Sequence, residues 1–232
     1  AAFMSARGIF NVNPRHEAGY IGAMLFIIPG FPFITSGLDL SKLDMRSGLE
    51  RGAYALIIIT VATLVGWLVA MVVHLRPEDF IPLSLSPLAY LLLRIPASFC
   101  GVFGFSIMFN SKIKMATTAG LIGAVANTLR LELVDLAKMP GGAAAFIGAL
   151  TAGLLASIVR KKVGYPRISI TIPSIVIMVP GLYMYRAVYN IGLTSISNGA
   201  LWLTRALLIV VFLPLGLIAA RILTDSTWRH NG

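Results

Sequence analysis

The chain has 232 residues, 57% of them hydrophobic and only 12% charged, with a mean hydropathy of +0.86. That balance excludes a water-soluble globule, whose surface needs far more charge. The formal charge of +10 does not point to nucleic acid: no Lys/Arg run is interleaved with stacking aromatics, and the cations fall between apolar segments, where they read as topology signals. A single cysteine, Cys100, and scattered histidines at 16, 74 and 230 exclude an intrachain disulfide and a cysteine-rich metal site.

In chain order, residues 1–17 form a polar lead-in without the apolar run and cleavage site of a signal peptide. Without an initiator Met, the chain is expected to be the back portion of a longer protein. Seven spans follow, predicted at 18–36, 51–74, 86–109, 114–133, 141–160, 167–186 and 200–223. Stretches such as 54–73 and 201–223 are long enough, at ~1.5 Å per residue, to cross a ~30 Å hydrocarbon core. The fourth and fifth spans carry small residues at four-residue spacing: Ala116, Gly120 and Ala124, then Ala144, Gly148, Ala152 and Ala156. Such faces favour close helix packing in lipid.

Alternating loops divide the cations. One side receives Arg7, Arg15, Arg76, Arg130, Lys138 and Arg186. The other receives roughly twice as many: Lys42, Arg46, Arg51, Lys112, Lys114, Arg160, Lys161, Lys162, Arg167, Arg221 and Arg229. The positive-inside rule then puts the C-terminus in the cytoplasm.

Slid on itself by 151 positions, the sequence matches without a gap. Ile27-Ile28-Pro29-Gly30-Phe31 falls on Met178-Val179-Pro180-Gly181-Leu182, Gly48 on Gly199, and Ala55-Leu56 on Ala206-Leu207. The offset carries five spans, an odd number, so the second copy enters the membrane with opposite polarity. The expected fold is therefore all-α and integral to the membrane, with two plus five helices of an inverted-topology repeat and Pro-Gly-broken helices. Residues 18–80 hold the last two helices of the first repeat and 81–232 a complete second one. A full parent has three more helices upstream, making ten.

Pro-Gly inside an apolar segment breaks a helix, because Pro removes a donor and clashes with the preceding turn. The freed backbone groups are then open to a solute at membrane depth. Pro29, Gly30, Pro180 and Gly181 would shape a site there. Thr35, Ser36, Tyr183 and Tyr185 are candidate hydrogen-bonding partners, and the alternative is a packing kink. Asn127 and Arg130 share a helical face, and Arg130 suits bidentate recognition of a carboxylate. Arg94 and Arg130 can instead snorkel to headgroups. Asp39 is a candidate proton or counter-ion site, or a loop cap. No nucleophile elbow, zinc-protease motif, intramembrane aspartyl pair or P-loop is present, so no catalytic residue is assigned.

Ile27-Ile28-Pro29-Gly30-Phe31-Pro32-Phe33-Ile34, with Leu38-Asp39 and Gly48-Leu49-Glu50-Arg51, resembles the end of the first membrane domain of the threonine/serine exporter family. The rest resembles the second domain, through Gly104-Phe105-Ser106-Ile107-Met108-Phe109-Asn110, Arg130, and Pro173 to Pro180-Gly181 followed by Tyr185. The resemblance implies a multi-pass protein of the bacterial cytoplasmic membrane that exports threonine and serine with the proton gradient and without a bound cofactor. Split relatives associated with succinate export make a dicarboxylate the alternative substrate. A non-transporting scaffold subunit is the alternative of another class. Expected partners are a small carboxylate-bearing solute, the lipid bilayer and an upstream portion or companion subunit, with a homo-oligomer left open and nucleic acid excluded.

Overall fold

The computed structural model describes residues 28–72, 85–192 and 195–225, and these are helical throughout, with no strand among them. Eight helices are described: α1 Gly30–Ser41, α2 Met45–Val72, α3 Pro87–Met108, α4 Ile113–Asp135, α5 Gly141–Val163, α6 Arg167–Val176, α7 Gly181–Gly192 and α8 Ile196–Thr224. Four of them, α2, α3, α5 and α8, are long and apolar enough to cross a membrane, and α6 with α7 makes a fifth if the broken pair counts as one span. The lead-in 1–17, most of the span predicted at 18–36, and Arg7, Arg15, Arg76 and Arg229 lie outside the described residues.

Local chemistry sets the helix ends. Asp44 accepts a hydrogen bond from the Ser47 N–H at the start of α2 (3.2 Å), as an N-capping carboxylate does. At α3, the Ser86 hydroxyl accepts from the Ala89 N–H and Pro87 takes the first helical position. Pro140 and Pro166 precede α5 and α6. The end of α5 is Gly164 at φ 73°, a left-handed cap whose N–H reaches the Arg160 carbonyl.

The described residues pack as two compact units. The larger comprises residues 30–53, 85–179 and 207–225. Within it α4 is central and packs on α3, α5 and α6. This 23-residue helix carries Lys114, Arg130, Glu132 and Asp135, and nine of its residues are buried among protein neighbours. The small-residue faces are packing surfaces, as predicted. Ala116, Ala144, Ala152 and Ala156 are fully buried, and a Cβ on Gly120 would meet the Phe99 ring at 2.9 Å. Gly37 of α1 abuts Pro214 of α8. Exposed apolar side chains line helices such as α3, with Leu88, Leu92, Leu93 and Ile95 outward.

The smaller unit includes residues 54–72, 180–192 and 195–206. Gly192 lies against the Trp67 ring, and Trp202 collects Tyr183 (ring centroids 5.3 Å apart), the Arg186 guanidinium (4.7 Å) and that of Arg205 (5.1 Å).

The 151-residue repeat reappears in the element boundaries. Shifted by 151, α1 becomes α7 at both ends, and α2 becomes α8 at its start and to within one residue at its end. The contacts inside each helical pair repeat too. Gly48 packs on Leu40 and Gly199 on Ile191, while Ser36 donates to the Gly48 carbonyl and its counterpart Ala187 presents its carbonyl to Gly199. Each pair is a short helix, a tight turn and a long helix that approaches it at a glycine.

Candidate functional site

The break between α6 and α7 is where the sequence expects freed backbone groups. Helical pairing stops as the chain nears Pro180: the Met178 and Val179 N–H groups bond only three residues back, to Ile175 and Val176. The carbonyl of Met178 leaves the ladder and accepts a hydrogen bond from Arg130 Nη1 at 2.9 Å. A guanidinium N–H on that carbonyl satisfies a backbone group that the broken helix leaves free.

Glycines from four helices let the surrounding backbones close on this segment. A Cβ on Gly30 would lie 2.7 Å from Val176 Cγ2 and 3.0 Å from Val179 Cγ2, so the first Pro-Gly pair delivers its glycine to the residues just ahead of the second. On Gly101 it would meet Ile177 at 2.6 Å, on Gly123 the Ser174 carbonyl oxygen at 2.8 Å, and on Gly148 both Met178 Sδ and Arg130 Cβ at 3.2 Å. Residues 174–178 are accordingly buried but for the half-covered Ile177.

A polar track on α4 runs toward the break. Asn127, buried one turn from Arg130, donates its Nδ2 to Ser98 Oγ on α3 at 2.9 Å. The hydroxyl of Thr128 is buried with no hydrogen-bond partner among the described residues, as is that of Ser106 on α3. Ser174 donates to the Ala119 and Ile170 carbonyls.

The structure thus brings Gly30 and Arg130 to the α6–α7 break, with Asn127 one turn away. Thr35 and Ser36 are buried, but their hydroxyls donate to backbone carbonyls, Thr35 to Phe31 and Pro32, Ser36 to Gly48. Asp39 pairs with Arg51 and ties α1 to α2. Pro180, Gly181, Tyr183 and Tyr185 belong to the smaller unit, as does the buried Pro29; there Tyr183 faces Trp202, and Tyr185 lies beside Tyr189 with ring centroids 6.1 Å apart.

Some features escaped the sequence reading. Arg94 does not snorkel: it bonds Glu132 Oε1 through Nη1 at 2.7 Å and Asp135 through Nη2, with Tyr90 under its guanidinium at 5.0 Å. Ser98, Gly101 and Gly123 also went unnoticed. A glycine inside an apolar helix was the available signal, since it costs helix stability unless close approach requires it.

Several apolar helices of spanning length, with one span broken at a Pro-Gly pair, define a multi-pass membrane protein. The family model described as Threonine/Serine exporter, ThrE, matches residues 94–223, and a second threonine/serine exporter model matches residues 1–74. The chain belongs to the threonine/serine exporter family, a family of membrane transporters. No curated protein and no solved structure matches it.

Proposed function

We propose that the chain is the membrane portion of a secondary exporter that moves threonine and serine out of the cytoplasm in exchange for protons, from a site at the α6–α7 break. One observation carries this reading: Arg130 holds the carbonyl of Met178, two residues before Pro180. The guanidinium N–H that holds this backbone oxygen can exchange it for a solute carboxylate, a stronger acceptor. Release of the carbonyl then links binding to movement at the break. Within the larger unit Gly30 shapes the site, Asn127, Thr35 and Ser36 are its candidate polar partners, and Asp39 is the candidate proton or counter-ion group. The repeated helical pairs support a ten-helix parent of two inverted repeats, with three helices upstream, in the cytoplasmic membrane and with the C-terminus inside.

The test is counterflow of labelled threonine in liposomes containing the full-length protein. Arg130→Gln is expected to lower transport at least about tenfold, the loss of one charge-assisted contact, with Arg130→Lys in between. Transport of labelled succinate but not threonine would move the substrate to the dicarboxylates. Unchanged cellular efflux after Pro29-Gly30 and Pro180-Gly181 are replaced by alanine, at equal expression, would favour a scaffold subunit.

A further inference from the structure

A second site lies within the larger unit, away from the break. The end of α1, the last turn of α5, the first turns of α6 and the last turns of α8 enclose a cavity of about 340 Å³. Its lining carries four cations, Lys42, Arg160, Arg167 and Arg221, against one carboxylate, Asp225. Even with Asp225 set wholly against Arg221, three positive charges remain. Among the described residues, none of those three forms an ion pair. Arg167 is fixed by neutral oxygens, donating Nη1 to Thr224 Oγ1 at 2.8 Å and Nη2 to the Gly153 carbonyl at 3.1 Å. Holding like charges around one cavity is unfavourable unless an anion enters it.

Apart from Thr171 the rest of the lining is apolar, with Leu38, Pro166, Ile168 and Leu217 beside the cations. The cations stand at helix ends, two of them, Arg160 and Arg221, on helices of spanning length, and all four fall on the side the positive-inside rule assigns to the cytoplasm. A soluble anion needs no apolar wall, whereas a phospholipid presents phosphate and glycerol next to acyl chain. We propose that this cavity binds the phosphate of an anionic phospholipid of the cytoplasmic leaflet, with Lys42, Arg160 and Arg167 as its ligands. Basic pockets between helices on that side are suited to such headgroups.

The test is native mass spectrometry of the purified full-length protein, titrated with phosphatidylglycerol or phosphatidylcholine. Phosphatidylglycerol is expected to bind more tightly, and Lys42→Gln and Arg160→Gln to weaken it about fivefold each, the ratio set by ~1 kcal/mol per cation near an anionic surface. Phosphatidylcholine binding should not change in either variant. Arg167→Gln also frees the Gly153 and Thr224 contacts, so the lysine and Arg160 variants carry the test, with unchanged thermal unfolding as the check on folding. Equal affinity for the two lipids, or phosphatidylglycerol binding indifferent to both substitutions, would overturn the proposal. So would displacement of the lipid by millimolar inorganic phosphate or succinate, which would make the cavity a site for soluble anions.

Discussion

Arg94 sits two turns into an apolar helix, where an uncompensated charge is costly. Glu132 and Asp135, three residues apart on α4, share a face and meet it together. The two acids are not equivalent: the Glu132 side chain is 18% exposed and that of Asp135 52%. Glu132→Gln should therefore destabilise by about 2–3 kcal/mol, because it leaves a half-compensated buried cation. Asp135→Asn should cost less than about 1 kcal/mol, as for exposed pairs. Thermal unfolding in detergent measures both, and equal shifts would contradict this ranking. Arg94 was visible in the sequence as a charge in a span, but its partners lie 38 and 41 residues away. A distance of that kind is set by how two helices cross, which hydropathy does not encode.

At the scale of the element, two glycines on neighbouring helices illustrate what packing adds. A Cβ on Gly123 would lie 2.5 Å from Val102 and 2.8 Å from the Ser174 carbonyl, whereas one on Gly104 meets nothing within 4 Å. Gly123→Ala should destabilise by about 1–3 kcal/mol through overpacking. Gly104→Ala should be neutral or stabilising by up to ~1 kcal/mol, the helix-propensity gain. Thermal unfolding of the two variants decides, and identical shifts would mean the close approach at Gly123 does not constrain the bundle. The start of α2 depends instead on a charge. The Ser47 hydrogen bonds hold the Asp44 carboxyl below its ordinary value of 3.8. A group whose folded pKa is depressed stabilises above its unfolded pKa and loses that contribution as pH falls through the folded one. The stability difference between the parent protein and Asp44→Ala is thus expected to shrink as pH is lowered below about 3.8 in unfolding experiments.

For the whole molecule, orientation is the first question, and charge answers it before any contact does. With about twice as many Lys and Arg on one set of loops, the C-terminus is expected in the cytoplasm. A C-terminal green fluorescent protein should fluoresce and a C-terminal phosphatase should stay inactive; the reverse pattern would invert the topology. The repeat belongs to this scale too. Pro29-Gly30 and Pro180-Gly181 were legible at a fixed offset, and each pair opens a short helix, α1 or α7. The helix boundaries then coincide at the same offset because each pair closes on its own glycine, Gly48 or Gly199.

The sequence by itself determined the solvent, the helical class, the break ahead of Pro180 and the family. These follow from composition, span length and short-range backbone chemistry, which act within a few turns of one helix. Only the tertiary structure decided that α4 is the centre of its unit, packed on α3, α5 and α6. It also decided that Arg130 reaches a carbonyl ahead of Pro180, and that Lys42 just past α1, Arg160 of α5 and Arg167 of α6 border one cavity. Each of those facts depends on which faces of distant segments meet. In lipid those faces are chosen by close packing and by the need to pair buried polar groups, while an apolar sequence makes many faces equally hydrophobic.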